Sequence, residues 1–298
     1  MQSNFRKGFF FSLIATVLLS TNYVTAKYAL GGFNPWTFSA VWCSAATLYS
    51  FIIVLLSGGL RDLVLPRRAF RAMLYVGMFT AGTMLLSWWG LSMLDPAFFA
   101  FLFRFYPVLT IALAAIFLSE KLPRRLLWPM AVMVAGGLVS TLARWNIVAL
   151  GMCLTLVACF MAAMTSLIVK TKISQIPTNV MVFYRVFIAA VIVTLVALGS
   201  GKADFNVAGK YWAVILLGAF LGPCLAHVLM FRSYAHWDLS LSSIVYTSQP
   251  LLVIPLAYVV LDRLPAGMEL VGGMIILAGA FWLALAHRQD KTSPSEIP

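Results

Sequence analysis

Long apolar stretches separated by short polar linkers run along almost the whole chain. A helix that crosses about 30 Å of hydrocarbon needs roughly 20 apolar residues. Stretches of that length predict ten membrane-spanning helices, at approximately 8–30, 35–57, 72–94, 96–118, 126–143, 147–169, 179–198, 211–231, 241–261 and 265–286. The pattern therefore predicts an all-α polytopic membrane protein, followed by a short disordered tail at 288–298.

The composition agrees with this prediction and excludes a water-soluble protein. Of the 298 residues, 62% are hydrophobic and only 10% are charged, and the mean hydropathy is +0.95. A net charge of +12 would suggest nucleic-acid binding in a soluble chain, but here the basic residues lie in short loops between apolar runs. The four cysteines form no CxxC pair, and no histidines cluster, so we expect no metal site and no cofactor.

The positions of the basic residues also predict an orientation. If the N-terminus is cytoplasmic, most of the Lys and Arg residues in loops lie on that side of the membrane. Because cytoplasmic loops are enriched in positive charge, both termini are predicted to be cytoplasmic. Arg104 and Arg185 are the two basic residues that fall within predicted spans.

Two segments of the chain resemble each other. PVLTIALAAIFLSEKLP at 107–123 and PLLVIPLAYVVLDRLP at 250–265 share prolines, an aliphatic pattern, an acid–base pair and a closing Leu-Pro. We therefore predict two repeats of five helices, at 1–145 and 146–287. Since five is an odd number, the second repeat enters the membrane inverted, an arrangement typical of transporters with a site at the repeat interface.

Ten spans in two halves, with P-x-L followed by E-K-L-P and a glycine-bearing helix, resemble the EamA-type members of the drug/metabolite transporter superfamily. Within that superfamily the chain is similar to bacterial exporters of aromatic amino acids. The resemblance implies a basket-shaped carrier of the inner membrane that exports amino acids or related metabolites by alternating access. An arginine common in the second span of each half is present as Arg185, but the matching position in the first half is Cys43.

Prolines occur at matched places in the two halves. Pro107 lies in span 4 and Pro250 in span 9, with Pro255 a little further on. Interior prolines break or weaken helices, which a bilayer tolerates where protein or water satisfies the freed carbonyls. The three prolines are predicted hinges around a cavity, although prolines are also common in membrane helices without such a role.

A charge and a polar face inside spans indicate where a substrate binds. Arg104 costs at least about 2.5 kcal/mol near mid-bilayer, so it needs a polar neighbour or must snorkel towards the headgroups. Ser242, Tyr246 and Gln249 are spaced so that they share one face of span 9. The candidate substrate-binding residues are Tyr23, Thr83, Trp88, Arg104, Tyr106, His227, Ser242, Tyr246 and Gln249. Hydrogen bonding or aromatic packing between helices is the alternative role for each of them.

The acidic residues are as informative as the basic ones. All 9 Asp and Glu residues fall in loops, in the tail or near the end of a span. A neutral or positive cavity favours zwitterionic or anionic substrates, and it predicts transport without obligatory proton coupling. The alternative is a multidrug or quaternary-ammonium exporter that binds cations on aromatic rings.

Neither an enzyme nor an ATP-driven pump is predicted. The predicted spans contain no cluster of His, Asp or Glu that could support catalysis, and the chain has no Walker A stretch. We therefore expect a small-molecule substrate and the lipid bilayer as the only partners, with one chain sufficient for function.

Overall fold

The computed structural model describes residues 2–58, 60–117, 124–141, 145–172, 175–236, 245–246, 248–262, 264–265 and 267–292. In this part of the chain the regular structure is helical throughout, with no β-strand. Six helical segments are long and apolar enough to cross a membrane: Arg6–Ala29, Pro35–Ser57, Arg67–Met93, Ala149–Val169, Thr178–Gly199 and Gly209–Met230. Shorter apolar helices cover Leu127–Val139, Gln249–Leu261 and Gly267–Leu283. The fold is that of a polytopic membrane protein.

The helices follow one another with short connections. In the first half they are α1 (Gln2–Ala29), α2 (Pro35–Ser57), α3 (Arg67–Met93), α4 (Pro96–Leu102), α5 (Phe105–Phe117) and α6 (Leu127–Thr141). In the second half they are α7 (Trp145–Lys172), α8 (Thr178–Gly199), α9 (Gly209–Ala219), a π-helical segment (Phe220–Ala226), α10 (His227–His236), α11 (Gln249–Leu261) and α12 (Gly267–Thr292). Short 3₁₀ turns cover Leu60–Leu63 and Arg124–Leu126.

Two helices begin with the same pair of signals, an acceptor side chain followed by proline. The Asn34 side chain accepts a hydrogen bond from the Thr37 amide at 2.9 Å ahead of α2. The Asp95 carboxylate accepts one from the Ala97 amide at 2.8 Å ahead of α4. Proline at the first helical position lacks an N–H that would otherwise have no partner. The sequence therefore defines both starts locally.

Helices α2 and α8 lie antiparallel, with their ends matched. At one end Asn34 Nδ2 donates to the Lys202 carbonyl at 2.9 Å, and at the other Asn179 Nδ2 donates to Ser57 Oγ at 2.9 Å. We call these the Asn34 end and the Ser57 end of the bundle. Helices α1 and α3 finish at the Asn34 end, where Lys27 Nζ donates to the carbonyls at the end of α3.

The remaining helices pack in pairs around a short central one. Helix α3 packs on α7, α1 packs on α9 and α10, and α6 packs along α12. Helix α4 contacts α1, α7, α11 and α12, and all of its residues are buried. Its phenylalanines Phe98, Phe99 and Phe101 are fully enclosed, so they pack between helices instead of lining an open cavity.

Predicted span 4 is interrupted before its proline, not at it. Helix α4 ends at Leu102, and Phe103 and Arg104 form a turn before α5 begins. Pro107 cannot donate to the Phe103 carbonyl, and this carbonyl accepts instead from the Tyr106 amide at 3.2 Å. The interruption therefore compensates for the missing N–H.

Spans 8 and 9 also differ from unbroken helices. The π-helical segment replaces regular α-helix around Pro223 in span 8. In span 9, α11 begins at Gln249, which places Pro250 in its first turn, whereas Pro255 lies inside this helix. Pro107 likewise lies in the first turn of α5. A first-turn proline removes no intrahelical hydrogen bond, so Pro107 and Pro250 follow interruptions instead of kinking a continuous helix.

Candidate substrate site

The Arg104 side chain points into the bundle from the turn between α4 and α5. It is 6% exposed. Its Nη2 donates to Gln249 Oε1 at 2.7 Å, Nη1 donates to the Tyr246 carbonyl at 2.5 Å, and Nε donates to the Ala100 carbonyl at 3.2 Å. The sequence predicts that a charge within a span needs polar neighbours, and those of Arg104 are two backbone carbonyl oxygens and one side-chain amide oxygen. Arg104 does not adopt the snorkelling position that was the alternative.

Gln249 presents a hydrogen-bond donor that no described residue accepts. This side chain is 3% exposed at the start of α11, and its Oε1 is occupied by Arg104. Its Nε2 is buried and has no hydrogen-bond partner among the residues that the structure describes. Buried amide groups normally find partners. With respect to the described residues, this Nε2 is available to an acceptor on a ligand.

Tyr23 forms an aromatic wall beside these two residues. It lies next to Arg104 and Gln249 and is 8% exposed. Its ring meets Phe99 edge-on, with centroids 5.2 Å apart, and Phe103 at 6.2 Å. Helices α1 and α11 and the interruption between α4 and α5 thus converge on one small region.

Two tyrosine hydroxyl pairs continue the polar region along the bundle. The Tyr106 hydroxyl forms a hydrogen bond with Ser166 Oγ on α7. The Tyr246 hydroxyl lies 3.2 Å from Ser233 Oγ on α10. The first pair joins α5 and α7, the second links α10 to a residue 13 positions further along the chain, and hydroxyl groups can both donate and accept. These residues provide adaptable hydrogen-bonding groups within the bundle.

A second guanidinium is buried on α8. Arg185 is 7% exposed and donates from Nη2 to the Pro223 carbonyl at 3.3 Å. Its charge interacts with Cys43, Cys224 and Tyr106. Pro223 lies inside the π-helical segment and has no backbone N–H to donate. Segments of this kind are frequent at functional sites.

His227 lies next to this region. Its Nδ1 is 3.1 Å from the Gly222 carbonyl, and its ring is close enough to Arg185 for the two charges to interact. The contact with a backbone carbonyl matches the structural role that was the alternative for this residue. His227 therefore lies beside Arg185 and the π-helical segment.

Thr83 and Trp88 lie on α3. Thr83 Oγ1 donates to the Phe79 carbonyl of its own helix at 2.8 Å. Trp88 is 3% exposed and packs edge-on against Phe38 and Trp42, with centroids 5.3 and 5.2 Å away. Both side chains stabilise packing around α3. Candidate Ser242 lies outside the described residues.

Sequence reasoning did not select Arg185, Ser166 or Asn22 as candidates, although all three belong to this polar region. Asn22 Oδ1 is buried without a hydrogen-bond partner in the described part of the chain. For Arg185 the signal was present, because a charged residue inside an apolar span is itself an indication of function. Ser166 and Asn22 carry no comparable signal, since single polar residues are common in membrane helices.

The site is positive. In the part of the chain that the structure describes, no carboxylate contacts Arg104 or Arg185. Nor do the described residues include three His, Cys, Asp or Glu side chains that could hold a metal ion. Two guanidinium groups without a carboxylate make the interior favourable for an anionic group.

A cavity of about 420 Å³ opens between helix ends at the Asn34 end of the bundle. Lys27, Tyr28, Ser92, Tyr211 and Leu261 are among its lining residues, and they come from α1, α9, α11 and the end of α3. Its walls combine aromatic rings with polar groups. It opens at the end of the bundle where α4 begins.

Comparison with known proteins gives a family and a fold. The chain matches the EamA-like transporter family twice, over residues 6–142 and 149–285. A solved crystal structure is similar with a TM-score of 0.66 and 20% sequence identity, covering 98% of this chain and 100% of the other. This second likeness shows the fold alone. No curated protein sequence matches the chain.

Proposed function

The chain belongs to the EamA-like transporter family, whose members carry small molecules across membranes, and from this premise we propose that it exports amino acids. Aromatic and other neutral amino acids, or closely related metabolites, are the proposed substrates. The observation that carries the proposal is the buried Arg104 guanidinium beside the unpartnered Gln249 Nε2.

These two groups suit a substrate carboxylate. A guanidinium has five N–H donors, of which Arg104 uses three on Ala100, Tyr246 and Gln249. Its remaining donors and Gln249 Nε2 can both donate to carboxylate oxygens, and charge-assisted hydrogen bonds of this kind are strong. The Tyr23 ring packs on Phe99 and Phe103 in this conformation, and under the proposal it contacts an apolar or aromatic substrate side chain when the Arg104–Gln249 contact opens. Neutral zwitterions fit such a site best.

The proposed architecture is a pair of inverted repeats with the site between them. The two family matches have equal lengths and support two repeats. In these repeats α1 corresponds to α7, α2 to α8, α3 to α9 and α10, and α6 to α12. The packing of α1 on α9 and α10 then corresponds to the packing of α7 on α3, and the pairs α2–α8 and α6–α12 each join corresponding helices. This pattern supports a pseudo-two-fold axis. Under this proposal Arg104 of one half binds Gln249 of the other near that axis, where inverted-repeat transporters bind substrate.

Substrate binding would then loosen a contact between the halves. A carboxylate that accepts from Arg104 competes with Gln249 Oε1 and the Tyr246 carbonyl for the same donors. The substrate would thus bind more tightly to a conformation in which this contact is broken, which is the condition for a population shift. Pro107 and Pro250 follow the interruptions at the matched positions and are the proposed hinges.

The alternative is an exporter of multiple drugs or quaternary-ammonium compounds. Such cations would need exposed aromatic rings or a carboxylate. The aromatic cluster of Phe38, Trp42 and Trp88 is buried and occupied by its own packing. A cation beside Arg104 would also be repelled. The structure therefore favours the amino-acid proposal.

We also propose that a single chain functions in the inner membrane with both termini cytoplasmic. The Asn34 end then faces away from the cytoplasm. Single cysteines introduced at Lys202 and at Ser295 of a cysteine-free chain should label from opposite sides with a membrane-impermeant maleimide. Labelling of both from the same side would contradict the orientation and the inverted repeat together.

Substrate choice is tested in proteoliposomes that contain the purified full chain. Counterflow of labelled L-phenylalanine should be faster than in protein-free liposomes and should be inhibited by unlabelled neutral amino acids. Tetraphenylphosphonium and choline serve as competitors for the alternative. Inhibition by these cations without inhibition by amino acids would reject the amino-acid proposal in favour of drug export.

A further inference from the structure

Arg185 is a buried cation to which the proposed substrate site gives no role. We infer that Arg185 anchors a second carboxylate-binding subsite, separate from Arg104 and closer to the Ser57 end of the bundle. The inference rests on the proposed transport of carboxylate-bearing substrates, since it assigns a second position to the same molecules.

The first observation is that the Arg185 guanidinium is largely unused. Within the described residues its Nη2 donates one hydrogen bond, to the Pro223 carbonyl at 3.3 Å. Its Nε is buried and has no partner among the described residues. A guanidinium presents its donors as a planar fork that matches two carboxylate oxygens. Arg185 therefore has the free donors that a bidentate carboxylate contact requires.

The second observation is the chemistry of the surrounding side chains. The groups with which the Arg185 charge interacts are the thiols of Cys43 and Cys224 and the phenol of Tyr106. Ser50, which lies beside the Cys224 thiol, has a buried Oγ. The surroundings are neutral and polar. An uncompensated buried cation in such surroundings favours an anionic ligand.

The third observation is the depth of the two arginines. Arg104 lies eight residues beyond Pro96 at the Asn34 end, and Arg185 lies seven residues beyond Thr178 at the Ser57 end. With a rise of 1.5 Å per residue, these positions are roughly 12 Å and 11 Å from opposite ends of the bundle. Helix α8 has 22 residues and is therefore about 33 Å long. Subtracting the two depths from this length leaves roughly 10 Å between the level of Arg104 and the level of Arg185.

This separation suits a path with two positions. A substrate that enters from the Ser57 end meets Arg185 first, and one that enters from the Asn34 end meets Arg104 first. Tyr106 lies between them, since it is two residues from Arg104 and interacts with the Arg185 charge. A carboxylate can therefore pass from one guanidinium to the other without crossing the whole bundle unpaired.

The residue of the first half that corresponds to Arg185 is uncharged, so the proposed subsite contains a single arginine. Cys43 corresponds to Arg185 in the repeat, and the thiol lies close to the guanidinium. Two arginines at this place would repel each other. A thiol is smaller and uncharged, so it leaves the single guanidinium free for a ligand.

The test measures binding without transport, using the purified full chain in detergent. The probes are 3-phenylpropionate, which carries a carboxylate, and 3-phenylpropanamide, its neutral analogue. Because Arg104 also binds carboxylates in our proposal, the comparison is made in an Arg104→Gln background. Adding 3-phenylpropionate should raise the thermal unfolding midpoint of Arg104→Gln, and 3-phenylpropanamide should not.

Adding Arg185→Gln should weaken binding of 3-phenylpropionate by about tenfold or more, since it removes charged hydrogen bonds. Adding Arg232→Gln instead is the matched control, because Arg232 is exposed and its loss removes the same charge. The control should bind like Arg104→Gln. Equal affinities in all three variants would overturn the inference, and so would the absence of any carboxylate-dependent shift in Arg104→Gln.

If the double variant does not fold, Arg104→Gln alone can still overturn the inference. Equal shifts with the acid and the amide would show that the carboxylate is not recognised. An equal shift with sodium chloride at the same ionic strength would assign the site to inorganic anions and reject a carboxylate subsite. A chain that binds 3-phenylpropionate through Arg185 but does not transport amino acids would leave this inference standing and reject the proposed function.

Discussion

The Arg104 guanidinium donates to the Gln249 side-chain oxygen at 2.7 Å, although 145 positions separate the two residues. Both side chains are buried. Arg104 sits at the interruption between α4 and α5, and Gln249 is the first residue of α11. A hydrogen bond to a charged group contributes about 1.5–3 kcal/mol. This contact therefore holds together two places where membrane helices begin or end.

The first prediction concerns Arg104. Arg104→Gln removes the charge that attracts a substrate carboxylate, so counterflow of a zwitterionic amino acid should fall about tenfold or more. Arg104→Lys keeps the positive charge but loses the planar fork of donors. Its counterflow rate should therefore lie between those of the unmodified chain and Arg104→Gln. Arg232→Gln, at an exposed position, should transport normally. Normal transport by both Arg104 variants would show that Arg104 only anchors its helix.

The second prediction concerns Gln249. Gln249→Glu places a carboxylate of the same size against Arg104 and creates a buried ion pair. Because Arg104 is already buried as a cation, the new partner should stabilise the closed contact by about 1–3 kcal/mol. The unfolding midpoint should rise and the exchange rate should fall, as measured by thermal unfolding and counterflow. Gln249→Leu is the opposite change. It removes the side-chain oxygen that accepts from Arg104, so it should lower the unfolding midpoint.

Much of the helical layout is local, and this is why the sequence predicts it. Proline after Asn34 and after Asp95 defines two helix starts, and the side chains of both residues form the expected caps. Apolar length alone predicts the long helices, such as Pro35–Ser57 and Thr178–Gly199. These features depend on neighbouring residues and need no knowledge of tertiary contacts.

The interruptions are less predictable because they depend on distant partners. Apolar length predicts one span at 96–118, but the chain turns at Phe103 and Arg104, where the guanidinium reaches Gln249 on another helix. Nothing near Arg104 in the sequence identifies that acceptor. The π-helical segment around Pro223 likewise cannot be distinguished from an α-helix by apolar pattern alone.

The candidate site was predicted in part for a similar reason. The polarity of Arg104, Tyr246 and Gln249 within spans predicts a site there, and the structure brings the three residues together. Trp88 has the same surface chemistry as a ligand-stacking residue, but it packs on Phe38 and Trp42. Whether an aromatic ring faces a cavity or a neighbouring helix depends on helix rotation, which is set by tertiary packing.

The third prediction concerns the contact between α6 and α12. A Cβ atom added at Gly136 would lie 2.7 Å from the Gly272 carbonyl oxygen and 2.8 Å from the Ile276 amide nitrogen. Both are backbone atoms, so the helices must separate. Gly136→Ala should destabilise the protein by about 1–3 kcal/mol. Gly137→Ala is the control, because its nearest neighbour is Phe105 Cζ at 3.6 Å, and equal losses from both would contradict the argument.

The fourth prediction concerns Lys27. Its Nζ donates to the carbonyls of Leu91, Ser92 and Leu94 at 2.7, 2.9 and 2.8 Å, and so satisfies the C-terminus of α3. Lys27→Met removes these charge-assisted bonds and should cost about 1–3 kcal/mol. Lys7→Met makes the same change on an exposed residue of the same helix. The measurement is the thermal unfolding midpoint, and equal midpoints for the two variants would reject the capping role.

The last prediction concerns energy coupling. All 9 acidic residues lie in loops, in the tail or near the ends of predicted spans, so no mid-membrane carboxylate can carry a proton with the substrate. Counterflow of L-phenylalanine driven by its own gradient should therefore persist when a protonophore is added. Protein-free liposomes and the Arg104→Gln variant provide the controls for leak.

A pH gradient that concentrates L-phenylalanine without a substrate gradient would contradict this prediction. His227 would then be the first residue to test, because it is an imidazole beside Arg185 and the π-helical segment. His227→Gln keeps a hydrogen-bonding side chain but cannot change charge. Loss of pH-driven accumulation in this variant, with gradient-driven counterflow retained, would assign proton coupling to His227 and leave the carboxylate contact of Arg104 intact.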